Sequence, residues 1–246
     1  VSVISTDAAG NTTTQTSASA VTMDTTAPTV VVDSEVSNNP TPTLAKAGNT
    51  ITVSITSTDP VTAATVGGKT ATVTNVSGNS YTATYVVQVG DTGPAGVSVT
   101  STDAAGNVAS QTLASAVTMD TTVLAPTLAL ATDSGSSTSD GITNVGTVNV
   151  VGLESGATWQ YQVDAGGFGS GTGTSFTATA GSHSYVVKQT DAAGNVSSPS
   201  AGVTFNYDTV APTTPRGELR SMGSPPTQRS QAPNTGTLNS ESLAQK

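Results

Sequence analysis

One five-residue string constrains this chain more than any other feature. Asp-Ala-Ala-Gly-Asn occurs three times, at residues 7–11, 103–107 and 191–195, at offsets of 96 and 88 residues. A second acid follows each copy at a fixed distance of 17 residues: Asp7 to Asp24, Asp103 to Asp120, Asp191 to Asp208. A unit of about 90 residues is too long for one turn of a solenoid and matches one whole domain per repeat. The division that follows is a C-terminal domain fragment at 1–24, complete domains at 25–120 and 121–208, and a linker with a tail at 209–246.

Within each unit the apolar period is two. Ile51, Val53 and Ile55 alternate with Ser and Thr. Tyr81, Ala83, Tyr85, Val87 and Val89 do the same, as do Val97 with Val99, Val148 with Val150, and Trp159 with Tyr161 and Val163. Turn signals separate these runs at Gly67-Gly68, Ser77-Gly78-Asn79, Gly93-Pro94, Gly166-Gly167 and Gly181-Ser182. No stretch carries a helical period. About seven short strands per unit predict an all-β chain of tandem β-sandwiches with Greek-key connections. Trp159 on the third strand and Tyr185 at the start of the sixth are expected in the core. Trp159, Tyr161 and Phe168 are the candidate surface of a binding module should they be exposed.

Composition narrows the chemistry. With no Cys and one His, there is no disulfide framework, no thiolate zinc site and no cysteine nucleophile. His183 has no acid or nucleophile fixed to it by spacing, so the expectation is that the chain is not an enzyme. The net charge is −9, which disfavours nucleic acid as a partner. No apolar run is long enough to span a membrane. All three Arg (216, 220, 229) lie in the last 31 residues, which carry 4 bases against 2 acids, while residues 1–215 carry 14 acids against 3 Lys. The tail, rich in Pro, Ser, Gln and Asn, is expected to be disordered.

The strings Asp-Thr-Thr-Ala-Pro-Thr (24–29), Thr-Asp-Ala-Ala-Gly-Asn (102–107 and 190–195), Gly141-Ile142-Thr143-Asn144 and Gly156-Ala157-Thr158-Trp159-Gln160-Tyr161 resemble the bacterial Ig-like repeats of giant, biofilm-associated surface adhesins. The resemblance covers about residues 1–213. It implies an Ig-like sandwich, export to the cell surface or beyond, a part in cell adhesion or biofilm formation, and calcium at domain junctions.

In an Ig-like sandwich the N-terminus shares a pole with the loops after the second, fourth and sixth strands. The last strand, about 111–119, carries the chain to the other pole. Stacked head to tail, Asp24 arrives beside Asp103 of the next domain, and Asp120 beside Asp191. The loop after the second strand adds Asp59 in one domain and Glu154 in the other. Each junction then gathers three acids: Asp24, Asp59 and Asp103, and Asp120, Glu154 and Asp191. Like charges that close call for a cation, and calcium takes 6–8 oxygens of this kind. The competing reading is that the Asp residues cap their own turns. The inserted Val123-Leu124, absent from the first linker, lengthens the second junction. Asp33, Asp91, Asp133, Asp140 and Asp164 are taken as solvated loop residues.

Three functions fit this reading. The first is a structural stalk whose partners are neighbouring domains of the same chain. The second is a carbohydrate- or protein-binding adhesin module with an unidentified host or matrix ligand. The third is a spacer of a secreted hydrolase.

Overall fold

The computed structural model describes residues 1–18 and 21–214; the Arg-containing tail, 216–246, lies outside the described residues. Every regular element among them is a strand. No described helix is long and apolar enough to cross a membrane.

Residues 25–120 form two facing sheets. One orders the strands Val30–Ser37, Thr50–Ser57, Ser80–Val86 and Thr72–Ser77; the other orders Val108–Leu113, Val97–Thr102, Val61–Val66 and Lys69–Thr70. This is the four-on-three arrangement of Ig-like domains, with a short extra strand on the second sheet. The alternation in Thr50–Ser57 sends Ile51, Val53 and Ile55 fully inward, where they meet Ala64, Val66, Val97 and Val99 in one core. Burying each such side chain contributes about 1.5–3 kcal/mol.

The second unit pairs Thr127–Leu130, Thr147–Val151 and Ser175–Thr177 against a five-stranded sheet. That sheet orders Ile142–Thr143, Val203–Tyr207, Gly181–Thr190, Thr158–Val163 and Gly169–Ser170. Its core is aromatic. Trp159 on the third-strand position is 4% exposed, and its Nε1 donates to the Gly173 carbonyl at 2.8 Å. A Cβ at residue 171 would collide with the Trp159 ring, so Gly171 is required by close approach. Tyr185 is fully buried, stacks on Phe205 and accepts a hydrogen bond from the Thr179 amide at 2.9 Å, closing the corner between two strands.

Several expectations need correcting. The last strand of the first sandwich is not continuous over 111–119. It breaks into Val108–Leu113, paired with Val97–Thr102, and Thr118–Asp120, which pairs with Thr92–Pro94 and runs parallel to Leu44–Ala45. Gly93-Pro94 therefore lies in a strand, on an edge where Pro costs no ladder bond. Gly181-Ser182 opens the ten-residue strand Gly181–Thr190, and Val89 lies beyond the end of Ser80–Val86, exposed.

Glu35 sits beside the break. A register shift between Val32 and Ser34 inverts the side-chain alternation, so that Glu35 turns inward and is buried. One carboxylate oxygen accepts from the Ala116 amide at 2.7 Å, while the other has no hydrogen-bond partner. Burial pushes its pKa up, against the lowering pull of the Ala116 and Val117 amides. A carboxyl that holds its proton more tightly when folded supports the fold fully below the ordinary Glu pKa of about 4.3, and that support is lost as pH rises through the folded value. Denaturant titrations of the parent and Glu35→Gln between about pH 4 and pH 7 should show the parent losing ground to the variant as pH rises. A stability difference that does not change with pH would show that Glu35 ionises freely.

At the N-terminus, Ser2–Thr6 and Thr12–Thr16 form an antiparallel hairpin whose ten strand residues are all exposed.

Candidate functional site: the interdomain junctions

The repeated pentapeptide builds the same turn each time. In residues 103–107 the Asp103 Oδ1 accepts from the Asn107 amide at 2.8 Å and Oδ2 from the Asn107 side chain at 2.8 Å. In residues 191–195 the corresponding bonds are 2.8 and 2.7 Å, and in residues 7–11 both are 2.9 Å. The side-chain bond from the motif Asn is the main reason that Asp7 and Asp103 are held below the usual carboxylate range.

The Asn side chain also reaches across the junction. Asn107 Nδ2 donates to the backbone carbonyl of Asp24 at 3.1 Å, and Asn195 Nδ2 to that of Asp120 at 2.9 Å. Asp24 therefore meets the loop of Asp103, and Asp120 that of Asp191, but through main-chain oxygens. The carboxylates of Asp24 and Asp120 accept from the amides of Thr26 and Thr122 in their own turns. Asp59 accepts from the Thr58 hydroxyl, and Glu154 from the Leu124 amide at 3.1 Å. Among the described residues, no three Asp, Glu, His or Cys side chains stand close enough together to hold a metal ion. The two expected trios of carboxylates are thus not gathered as side chains. What each junction does gather is one carboxylate, one linker carbonyl and one side-chain amide. Turning that amide about its Cβ–Cγ bond would replace its NH2 with Oδ1, giving three hard oxygens of the chemistry calcium takes.

The second junction has further contacts. Asn39 Nδ2 donates to the Ala193 carbonyl at 2.8 Å, and Lys46 Nζ to the Gly194 carbonyl at 2.6 Å. Ala193 is buried, whereas the matching Ala105 is exposed. The inserted Leu124 is held at both ends: its amide by Glu154 and its carbonyl by Gln189 Nε2 at 2.7 Å. Gln189 is fully buried and holds the position that Ser101 fills in the first sandwich, two residues before the motif Asp. Ser101 bonds only within its own domain, to Ser57 and to the carbonyls of Asp59 and Pro60. The longer Gln side chain reaches the linker and ties down the insertion.

The sequence reading missed Asn39, Lys46 and Gln189. The motif Asn is legible as the constant last letter of the repeat.

The remaining acids are more engaged than expected. Asp91 is buried, accepting from Tyr85 Oη at 2.6 Å and the Gln88 amide at 2.8 Å, with Lys69 Nζ at 3.7 Å. The Tyr85 bond lowers the pKa of Asp91, and the tyrosine is pushed up to about 12. Asp133 accepts from the Gly141 amide, and its other oxygen is buried without a partner. His183 does have an acid: Asp164 Oδ2 lies 2.8 Å from its Nδ1, because the pairing of Val163 with Tyr185 sets the turn after Thr158–Val163 beside the start of Gly181–Thr190. The Asp164 hydrogen bond raises the His183 pKa.

Residues 122–209 match the family described as bacterial Ig-like domain. No curated protein matches the chain. Among solved structures, fibronectin(III)-like modules of Clostridium thermocellum CbhA are 20% identical over 73% of this chain and 95% of theirs, with a TM-score of 0.30. A Ca2+-stabilized adhesin that helps an Antarctic bacterium reach out and bind ice is 26% identical over 84% of this chain and 55% of its own, with a TM-score of 0.39. The BSP domain of a biofilm associated protein is 16% identical over 74% of this chain and 30% of its own, with a TM-score of 0.27.

Proposed function

We propose that this chain is a spacer segment of a secreted or cell-surface bacterial adhesin. Its tandem Ig-like sandwiches hold an adhesive element away from the cell and support adhesion or biofilm formation. The observation that carries the reading is the junction itself. The repeated residues spend their hydrogen bonds on the linker, Asn107 on Asp24 and Asn195 on Asp120. A chain selected for a ligand would concentrate its polar side chains on an open surface instead. The leading candidate for such a surface loses its anchor, since Trp159 is buried in the core. The match of residues 122–209 to a bacterial Ig-like family supports the same reading.

Calcium is part of this proposal. The carboxylate of Asp191, the carbonyl of Asp120 and the turned amide of Asn195 would supply oxygens to the ion, and Asp103, Asp24 and Asn107 would do the same at the first junction. Binding to the folded state alone raises stability by about 2.7 kcal/mol at a free calcium level 100 times the dissociation constant. Thermal melts should therefore rise in calcium relative to chelator, and Asp191→Ala should lose most of that rise. Identical melts in calcium and chelator would remove calcium from the account and leave the hydrogen-bonded junction as the sole link.

A further inference from the structure

Glu35 is a buried acid set against one place, the break in the last strand of the first sandwich. It is 5% exposed, one of its oxygens has no hydrogen-bond partner, and the other accepts from the Ala116 amide at 2.7 Å. A buried carboxylate oxygen left without a partner is unfavourable, and each one in a fold calls for a reason. The elements packed against Glu35 bring no charge to offset it. Thr50–Ser57, Val97–Thr102 and Val108–Leu113 contain no ionisable side chain, and neither do residues 114–117. Asp33, on its own strand, is exposed and accepts from the Thr56 hydroxyl.

The segment that Glu35 holds leads straight into the second junction. Ala116 and Val117 sit in the break, where the Ala95 amide donates to the Val117 carbonyl at 3.0 Å and the Thr118 amide to the Thr43 carbonyl at 2.9 Å. The three-residue strand Thr118–Asp120 follows, and its last carbonyl is the one that accepts from Asn195 Nδ2 at 2.9 Å. Asp120 thus lies only four residues after Ala116. The second sandwich shows the converse. Its strand Thr127–Leu130 carries no acid, and its last strand, Val203–Tyr207, has no break.

We propose, resting on the junction contacts that carry the proposed function, that Glu35 is a proton-operated latch on the second junction. Protonated, it fixes residues 114–117 and with them the strand that presents the Asp120 carbonyl. Ionised, it draws water into the break and frees that strand. A neutral carboxyl is far easier to bury than a charged one. The proton sits on the oxygen without a partner, so the other oxygen remains the acceptor for Ala116. Burial raises the Glu35 pKa. The latch is therefore closed at acid pH and released as pH rises through the folded value.

The experiment is an NMR titration of the full chain and of Glu35→Gln from about pH 4 to pH 8. In the parent the Ala116 amide should shift with a single midpoint. The Asn195 side-chain amide should respond with that same midpoint, and the Thr118 amide should lose protection against exchange several-fold more than in the variant. Glu35→Gln keeps an acceptor and cannot ionise, so these responses should vanish; every other acid is common to both proteins and cancels in the comparison. The agreement of midpoints is read in the parent alone and holds even if the variant folds poorly. An Ala116 amide with no midpoint in this range, or an Asn195 signal that ignores that midpoint, overturns the latch and leaves the junction standing. An Asn195 side chain that exchanges like a free amide at every pH removes the junction, and the latch with it.

Discussion

Replacing Trp159 with Ala should cost the second sandwich about 3–5 kcal/mol. The ring is 4% exposed, lies within 6.1 Å, centroid to centroid, of both Tyr161 and Phe176, and anchors Gly173 through its indole nitrogen. Truncation removes the transfer free energy, leaves a cavity and strands the Gly173 carbonyl. The cavity is poorly placed to collapse, because Gly171 approaches the ring with backbone and has no side chain to move in. Trp159→Phe should cost less, since it keeps most of the volume and loses the hydrogen bond. The measurement is urea unfolding followed by circular dichroism. In the parent, the single Trp should emit at short wavelength and ignore added glycans. A loss below about 1 kcal/mol, or emission quenched by a sugar, would return Trp159 to the surface and revive the binding-module reading.

Much of the sandwich is legible in the sequence, because a strand writes its two faces into alternate residues. Ile51, Val53 and Ile55 declare both the strand and its buried side, and Trp159 and Tyr185 stand where an Ig-like core needs aromatic bulk. What stays hidden depends on pairing between distant strands. A bulge at Val32 to Ser34 inverts the alternation and buries Glu35, and no local pattern marks it. The break after Leu113 follows from a change of partner strand, and nothing within 111–119 announces it. His183 and Asp164 meet only because the strands Thr158–Val163 and Gly181–Thr190 adopt one register.

The junction is half legible for the same reason. The fixed spacing of 17 residues points to Asp24, Asp103, Asp120 and Asp191, and the loops carrying them do meet the linkers. Spacing does not reveal which atom of each residue faces across. The contacts run through the carbonyls of Asp24 and Asp120 and the amides of Asn107 and Asn195. Lys46 and Asn39 lie about 150 residues before the carbonyls they hold, and no local pattern marks them.

If these contacts define the junction, breaking them should free one sandwich from the other without unfolding either. Asn195→Ala removes the bond to Asp120 and one bond to Asp191; Lys46→Met and Asn39→Ala remove the two bonds to residues 193 and 194. Each such bond contributes about 0.5–1.5 kcal/mol, and those to charged groups about 1.5–3 kcal/mol. The triple variant should therefore swing while its circular dichroism stays that of two folded sandwiches.

The most direct measurement is a spin-label distance between the two sandwiches, with labels on cysteines at exposed Thr74 and Ser170. With no native Cys in the chain, both labels go only where they are placed. The parent should give one narrow distance distribution, and the triple variant a broad one. A parent distribution as broad as that of the variant would contradict the account, because a junction that swings freely is not held by these residues.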